Sequence, residues 1–472
     1  MVFSSITFLL YFLPFFLWVY LMVPKSWKNG VALVFSVVFY AWGAPQFVFI
    51  LLASTIIDFY LVRHMHRQKS LKAKKTFLTL SILLNVGLLA YFKYANFFVD
   101  NLSSLFQEMG MSSLAWVEIA LPIGISFYTF QTLTYSIDIY RGQDKPLEKV
   151  TDYLLYIMLF PQMIAGPIVR FSSIASQLRS RTQTNTQFVQ GLYRFSLGLG
   201  KKVLIANPMG SLANGIIDGG ISDLSSPHAW LGILAYTFQI YFDFSGYSDM
   251  AIGLGKMMGF SFPENFNNPY VSKSITEFWR RWHITLGAWM RDYLYIPLGG
   301  NKRGVFRTYA NLWLVFLVSG LWHGAAWNFV AWGAFHGMFL VFDKLFLLKF
   351  LNRIPKLIAI SFTFIISMLG WVIFRIEDFN SALDYYSILF TGSGDFSQIA
   401  ISSHQATVLS FAILFSFITL FKFGSRFEFY SLSESSSIKQ NTLKFVTTLC
   451  LLAVSLAWLT TSSFNPFIYF RF

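Results

Sequence analysis

One histidine, His323, lies in an apolar stretch of small and aromatic residues, SGLWHGAAW. An ionisable side chain at membrane depth is a candidate functional group by default. Because a neutral imidazole can accept the proton of an attacking hydroxyl, one interpretation of His323 is a catalytic base, and the other is a histidine hydrogen-bonded inside a helix bundle. Gly320 and Gly324 have the spacing that permits close helix contact or close approach of a substrate. Trp327, one helical turn on, is expected to share the helix face of His323 and to hold its ring.

A second histidine, His283, belongs to the string EFWRRWHITLGAWMRDYLY. We expect residues 279–293 to form one amphipathic helix. Arg280, His283 and Arg291 then share a polar face, and aromatic rings share another. Two guanidinium groups on such a face can bind lipid phosphates at the membrane interface, clamp the phosphate or carboxylate of an anionic donor molecule, or do both. The residues expected to bind the donor are Arg280, Trp282, Arg291 and Trp327.

Carboxylates within apolar sequence are few, and Asp243 and Asp249 are two of them. Being six residues apart, they do not share one face of a regular helix. Each is expected to hold a helix break through hydrogen bonds, or else to orient a histidine or line a polar tunnel. His336 follows His323 by thirteen residues, and on a continuous helix it would point roughly 140° away. We therefore expect His336 to be a packed or hydrogen-bonded residue.

Several common catalytic patterns are absent from the sequence. It contains no histidine or cysteine cluster with zinc-site spacing, no G-x-S-x-G nucleophile elbow and no P-loop. The single cysteine, Cys450, excludes an intrachain disulfide framework and a cysteine-rich metal site. We therefore expect neither a bound metal nor a bound cofactor.

These residues belong to a chain whose composition is that of a membrane protein. Of its 472 residues, 55% are hydrophobic and 12% are charged, which is about half the charged fraction of a soluble domain. The formal charge of +14 comes from short basic clusters between apolar stretches, which is the pattern of cytoplasmic membrane loops. The expected surroundings are therefore membrane lipids, and no nucleic-acid partner is expected.

The apolar stretches are long enough to span or nearly span a bilayer. We place them near 4–23, 30–43, 45–62, 76–99, 115–140, 188–206, 228–258, 308–322, 325–343, 356–376, 406–421 and 442–461. Two further stretches are expected to be partial or re-entrant: 152–169, which contains two prolines, and 275–297, which is amphipathic. The expected fold class is all-α and polytopic, with roughly 11–13 transmembrane or re-entrant helices in one membrane-embedded domain, residues 1–472.

The charges of the loops orient the bundle. Residues 63–75 hold a cluster of Lys and Arg and no acid, so this loop is expected in the cytoplasm. Residues 100–114 and 378–404 contain acids but no Lys or Arg, and both are expected outside. The alternation of cytoplasmic and outer loops is consistent only if segments 152–169 and 275–297 do not cross the membrane fully. Both termini then face outward. The N-terminus has no basic region and no cleavage site, so a retained first helix is expected.

At these residues the sequence resembles the membrane-bound O-acyltransferase family, and within it the bacterial branch typified by the alginate O-acetylation protein AlgI. The matching strings extend from the first residue to the last. They include MVFSS, LPIGISFYTFQTLTYSIDIYRG, FPQMIAGPIVR, QIYFDFSGYSDMAIGLGKMMGF, FNNPY, EFWRRWHITLGAWMRDYLYIPLGGN, GLWHGAAWNFVAWGAFHG and FIYFRF. The long strings in the middle of the chain are highly specific.

The resemblance implies a helical bundle with a tunnel that reaches a buried histidine, and it places the catalytic histidine at His323 and a second family histidine at His283. In this branch the protein takes acetyl from a cytoplasmic donor, expected to be acetyl-CoA or another acetyl thioester. It passes the acetyl group to an extracytoplasmic acetyltransferase partner protein or to a polymer. An alginate-like exopolysaccharide is the favoured acceptor, with peptidoglycan or cellulose as alternatives. The implied location is the bacterial inner membrane.

Two other classes of protein share the many spans and the buried acids. A polysaccharide transporter or flippase would be indicated by inverted repeats of hydropathy, and we find none. A scaffold for a polysaccharide synthase would tolerate the loss of His323. Acyl-transfer activity of the purified protein distinguishes the three classes.

Overall fold

A computed structural model describes residues 1–220, 224–396, 399, 401–433, 437–461 and 464–468. These ranges contain helices and no β-strand, and every one of the twelve apolar stretches contains an α-helix. The expected all-α class is therefore confirmed. Part of the predicted outer loop 378–404 and the last four residues of the string FIYFRF lie outside the described residues.

The described chain clusters into two compact units, and the first consists of residues 1–184 and 255–262. Its helices are α1 (Leu13–Met22), α2 (Lys28–Gly43), α3 (Val48–Arg67), α4 (Leu71–Leu89), α5 (Ala95–Glu108), α6 (Ile125–Tyr140), α7 (Val150–Met158), α8 (Phe160–Met163) and α9 (Phe171–Arg179). A polar network ties three of them together, because the buried Asp58 carboxylate of α3 accepts hydrogen bonds from Ser81 of α4 and Tyr153 of α7, each at 2.5 Å. Partners of this kind offset the cost of burying a carboxylate.

Two boundaries predicted in this unit are wrong. Leu71–Glu108 is one helix of 38 residues, because a π-helical turn continues α4 into α5. The predicted outer loop 100–114 is therefore helical as far as Glu108, and the helix, at roughly 57 Å, is much longer than a hydrocarbon core of about 30 Å. The predicted span 115–140 starts as irregular chain, and its helix begins only after Gly124, whose φ of 78° no α-helical residue adopts.

The second unit consists of residues 185–254 and 263–472. Its helices are α10 (Asn185–Gly200), α11 (Asn207–Ile217), α12 (Ser226–Met257), α13 (Ile275–Arg281), α14 (Ile284–Met290), α15 (Val305–His323), α16 (Trp327–Phe342), α17 (Leu348–Leu351), α18 (Lys356–Arg375), α19 (Phe379–Thr391), α20 (Ser403–Phe417), α21 (Lys422–Leu432) and α22 (Ile438–Thr461). α12 is continuous over 32 residues. The expectation that Asp243 and Asp249 hold a helix break is therefore wrong.

Helices α15 and α16 pack closely because glycines lie between their backbones. A Cβ atom added to Gly320 would overlap the carbonyl oxygen of Phe329, and one added to Gly333 would overlap that of Phe316. A Cβ atom on Gly324 would overlap the Phe329 ring. Of the two interpretations of these glycines, close helix contact is therefore the one observed. The expectation that they leave room for a substrate is wrong.

In the part of the chain that the structure describes, six helices are long and apolar enough to cross a membrane. They are Pro45–Arg67, Leu71–Glu108, Val305–His323, Lys356–Arg375, Ser403–Leu420 and Ile438–Thr461. With shorter apolar helices such as Phe8–Met22, they make the protein a polytopic membrane protein. The loop orientations, the central tunnel and the single domain stay predictions.

Candidate active site

His323 is the last residue of α15 and lies among aromatic rings. Its side chain is 4% exposed. The centroid of its ring lies 5.2 Å from that of Trp332 and 5.5 Å from that of Phe374, and both contacts are edge-on. Trp322, its neighbour in the chain, adds a third edge-on contact at 5.0 Å. Rings packed in this way keep bulk water from the imidazole.

The tryptophan of α16 that packs against the His323 ring is Trp332, and the prediction of Trp327 for this role is wrong. That prediction required one continuous helix, but α15 ends at His323 and Trp327 is the first residue of α16. Trp327 is 61% exposed, whereas Trp332 is 1% exposed. Because Trp332 belongs to the following helix, no local spacing in the sequence pointed to it. Donor binding by Trp327 stays a prediction.

The helix expected over residues 279–293 is broken in its middle. α13 ends at Arg281, the backbone of Trp282 is extended, and His283 adopts a left-handed conformation with φ 45° before α14 begins. A left-handed backbone is uncommon for a residue other than glycine and is concentrated at functional sites. The single polar face predicted for this stretch is therefore wrong.

The segment that precedes α13 stabilises this break. The Asn267 N–H donates a hydrogen bond to the Arg281 carbonyl, and the Ile284 N–H donates to the Asn265 carbonyl, both at 2.9 Å. These two bonds replace the intrahelical bonds that the break removes, so the buried backbone groups stay satisfied. The partners lie 14 and 19 residues earlier in the chain, which is why helical periodicity alone did not reveal the break.

The break brings His283 next to His323. The ring centroids of the two histidines lie 6.4 Å apart. His283 is 1% exposed and packs edge-on against Phe244 of α12 at 4.7 Å. It lies between α13 and α14, outside the six membrane-spanning helices, and burial lowers its pKa to about 3. The ring of His283 is therefore neutral at physiological pH.

Asn265 is a site residue that sequence reasoning missed. Its side-chain oxygen lies 3.1 Å from Nδ1 of His283 and accepts a hydrogen bond of 2.8 Å from the Thr285 hydroxyl. Its side-chain nitrogen donates to the Ser248 hydroxyl at 3.1 Å. Asn265 immediately precedes the FNNPY string, but only the fold shows that it contacts a histidine.

His336 lies in the same aromatic cluster and is fully buried. Its ring packs edge-on against Trp279 at 5.0 Å and Trp332 at 5.1 Å. The direction expected for His336 relative to His323 was based on one continuous helix through both residues. That assumption is wrong, because α15 and α16 are separate helices. Trp332 contacts both histidines, and His336 is packed among rings, as the sequence predicted.

The residues expected to bind the donor do not form one surface. Arg280 is exposed on α13, whereas Arg291 follows α14 and pairs with the adjacent Asp292 carboxylate at 2.6 Å. Trp282 is 2% exposed and packs against Trp371, with ring centroids 4.9 Å apart. A donor would therefore reach the two arginines more readily than Trp282, and donor binding by all three stays a prediction.

Asp243 and Asp249 both form ion pairs. Asp243 pairs with Lys202 at 2.6 Å, and both side chains are buried. Asp249 pairs with Arg194 at 2.6 Å and with Lys201 at 2.7 Å, and it lines an apolar cavity of about 600 Å³. Among the described residues, neither carboxylate has a histidine as an ion-pair partner. These ion pairs join α12 to α10 and to the π-helical turn that follows it.

Proton transfer is the chemistry that the site can perform. The described residues include no group of three His, Cys, Asp or Glu side chains that could hold a metal ion. They do bring two imidazoles together in a buried aromatic environment. A neutral imidazole can take a proton from a hydroxyl and return it to a leaving group.

The family of the chain is shown by its sequence. The model of MBOAT, the membrane-bound O-acyltransferase family, matches residues 70–350, and this range contains both histidines. The chain belongs to this family. With its apolar helices, it is a multi-pass membrane O-acyltransferase.

Relatives from several bacteria refine this class. A protein of Azotobacter vinelandii named "Probable alginate O-acetylase AlgI" is 41% identical, over all of this chain and all of its own. A protein of the same name from Pseudomonas aeruginosa is 44% identical over 83% of this chain and 75% of its own. A peptidoglycan O-acetyltransferase of Helicobacter pylori is 38% identical over 76% of this chain and 72% of its own.

Proposed function

We propose that the protein takes an acetyl group from a cytoplasmic thioester, acetyl-CoA or another acetyl thioester, and passes it across the membrane to an extracytoplasmic hydroxyl. The observation that carries the proposal is the buried pair of imidazoles, His283 and His323, with ring centroids 6.4 Å apart. Relatives named for O-acetylation of alginate and of peptidoglycan support acetyl as the transferred group.

In this proposal His323 is the general base. As the acceptor hydroxyl attacks the thioester carbonyl, a C–O bond forms and the hydroxyl proton moves to a ring nitrogen of His323. When the tetrahedral intermediate collapses, the C–S bond breaks and the departing thiolate takes the proton back. The imidazole is then neutral again and no further reactant is consumed. His283 holds a substrate in the geometry that this attack requires.

A polar pocket of about 390 Å³ supports an anionic donor. Its lining includes three cations, Lys273, Arg281 and Lys356, together with two acids. Ammonium and guanidinium groups bind phosphates, which acetyl-CoA carries. The pocket also includes Asn267, two residues after the Asn265 that contacts His283. This pocket is a second candidate for the donor site, beside the exposed Arg280 and Arg291.

Single replacements of Arg280, Arg281 and Arg291 by Gln distinguish the two candidates. A hydrogen bond to a charged group contributes about 1.5–3 kcal/mol, so loss of a true donor contact should raise the KM for acetyl-CoA roughly 10–100-fold. An effect confined to Arg281→Gln would support the pocket, and an effect of the other two would support the predicted donor residues. If all three variants kept the KM of the unmodified protein, these arginines would not bind the donor.

A narrow cleft at the end of α18 supports access for the acceptor. Phe374, whose ring contacts His323, lies in its wall beside Arg375. Gln239 also lines the cleft; it is 6% exposed, and its side-chain oxygen has no hydrogen-bond partner among the described residues. A hydroxylated acceptor would supply that missing donor. α18 leads into 378–404, which its charges predict to be outside.

The favoured acceptor is an alginate-like exopolysaccharide, reached directly or through an extracytoplasmic acetyltransferase partner protein. The names of the two alginate O-acetylases support this choice. Peptidoglycan is the alternative that the Helicobacter relative supports, and cellulose would need the same chemistry. Assays with each purified polymer and acetyl-CoA, with and without periplasmic extract, would identify the acceptor.

The proposed base is tested by His323→Ala, His283→Ala and His336→Ala in purified protein. General-base catalysis contributes on the order of 10²–10⁴-fold, so His323→Ala should lose at least that much turnover while assembling at normal levels. His283→Ala should cost less, and His336→Ala least. Near-normal turnover of His323→Ala, or a larger defect at His336, would contradict this assignment. In that case a transporter or a synthase scaffold would be the better interpretation.

A further inference from the structure

The side-chain amide of Asn265 has only one possible orientation. Its Oδ1 atom accepts hydrogen bonds from the Thr285 N–H at 3.3 Å and from the Thr285 hydroxyl at 2.8 Å. Because a backbone N–H can only donate, the atom that faces it must be the amide oxygen. The amide nitrogen then faces the Ser248 hydroxyl, at 3.1 Å. All four groups are buried, so no water molecule from bulk solvent competes for these positions.

This orientation determines which nitrogen of His283 carries the proton. The Nδ1 atom lies 3.1 Å from Oδ1 of Asn265. Two acceptors cannot form a hydrogen bond with each other, so Nδ1 must be the protonated nitrogen. In a neutral imidazole the other nitrogen, Nε2, then keeps its lone pair. Nε2 is buried and has no hydrogen-bond partner among the described residues.

A buried acceptor without a partner is costly, and native proteins rarely keep one for structural reasons. His283 cannot move its proton from Nδ1 to Nε2, because Asn265 Oδ1 accepts the hydrogen bond from Nδ1–H. Nε2 therefore stays an acceptor. A molecule that enters the site can supply the missing donor. The hydroxyl that attacks the thioester has one proton, which His323 takes in the proposed reaction. Nε2 of His283 is thus free to bind a second donor on the same substrate.

We propose that Asn265 is a positioning residue that holds His283 as the Nδ1–H tautomer, so that Nε2 accepts a hydrogen bond from a second O–H or N–H group of the acceptor. The inference rests on the proposed acyl transfer and adds a substrate requirement to it. A carbohydrate with a hydroxyl beside the acetylated one meets this requirement, and a simple monohydric alcohol does not. Asn265 thereby contributes to the choice of acceptor without touching it.

The test compares Asn265→Asp and Asn265→Leu with Thr285→Val as a matched control. Asn265→Leu removes the acceptor at Nδ1, so His283 can adopt either tautomer, and the KM for the acceptor should rise roughly 10–100-fold while the KM for acetyl-CoA stays unchanged. Thr285→Val removes one hydrogen bond to Oδ1 but keeps the Thr285 N–H and the Nδ1 contact. Its KM for the acceptor should therefore rise less than that of Asn265→Leu, and its KM for acetyl-CoA should stay unchanged.

Asn265→Asp gives a readout that a merely structural role would not change. The carboxylate keeps an acceptor at Nδ1 but adds a negative charge, which raises the pKa of His283. Protonation turns Nε2 into a donor and abolishes acceptor binding at low pH. The acid limb of kcat/KM for the acceptor should therefore move to higher pH, by about one unit or more. Among the described residues whose rings contact that of His283, which are Phe244, Trp322 and His323, only His323 carries an ionisable group, and it is present with and without the mutation.

The outcomes separate this inference from the proposed function. An unshifted pH profile in Asn265→Asp together with a normal acceptor KM in Asn265→Leu overturns the inference, even if His323→Ala is inactive as proposed. Full turnover of His323→Ala overturns the proposed function instead. If Asn265→Leu failed to assemble, the nearly isosteric Asn265→Asp would decide alone. Equal turnover of a sugar and of its analogue lacking the neighbouring hydroxyl also overturns the substrate requirement.

Discussion

Replacing Gly320 with alanine should impair catalysis by moving His323. An added Cβ atom would lie 3.0 Å from the Phe329 carbonyl carbon and closer still to its oxygen, where ordinary contacts begin at 3.4 Å. The backbones of α15 and α16 would have to separate by roughly 1 Å to relieve this overlap. Overpacking of this kind costs about 1–3 kcal/mol. His323 is three residues further along the same helix, and a misplacement of about 1 Å can reduce turnover on the order of 10²-fold.

The assay measures release of free thiol from acetyl-CoA, and the melting temperature, in one detergent. Gly87→Ala is the matched control, because a Cβ atom at Gly87 meets nothing within 4 Å. An alanine there should leave turnover unchanged and can add up to about 1 kcal/mol of helix stability. The reasoning is refuted if Gly320→Ala keeps both the turnover and the melting temperature of the unmodified protein.

Two further predictions concern assembly and orientation. Lys202→Met leaves the buried Asp243 carboxylate without its cation and should destabilise the protein by about 3–5 kcal/mol. The double variant Lys202→Met/Asp243→Leu should recover most of that loss, and a melting temperature no higher than that of the single variant would contradict this account. In a Cys450→Ala background, an impermeant maleimide added to intact spheroplasts should label a cysteine placed in 378–404 but not one placed in 63–75. Labelling only in 63–75 would invert the predicted topology.

The sequence alone could predict the helical architecture and the two histidine-bearing segments, since both depend on local patterns. Hydropathy reveals each apolar stretch directly. An imidazole surrounded by apolar residues is conspicuous without knowledge of the fold. The sequence therefore identifies both His323 and His283, whose ring centroids lie 6.4 Å apart in the structure.

The errors at the site share a physical cause, because the predictions for Trp327, His283 and His336 all assumed continuous helices. A helical wheel places Trp327 beside His323 and His283 between two arginines, but the chain leaves the helix after His323 and again at Trp282. The second break depends on hydrogen bonds from a segment 14 to 19 residues earlier. Trp332 reaches His323 only because glycines let α15 and α16 approach. Contacts of this range have no signal in a periodicity of 3.6 residues.

Asp249 of α12 lies next to a residue that contacts Asn265. Its neighbour Ser248 accepts the hydrogen bond from the Asn265 amide, and Asp249 itself is paired with Arg194 and Lys201. The ion pairs fix this part of α12 against α10 and the turn after it, so the Ser248 hydroxyl is held where Asn265 needs a partner. Asn265 in turn sets the tautomer of His283. We therefore infer that this carboxylate, predicted to line a tunnel, supports the histidine indirectly, because preorganising a neutral imidazole requires that each of its supporting groups be fixed in turn.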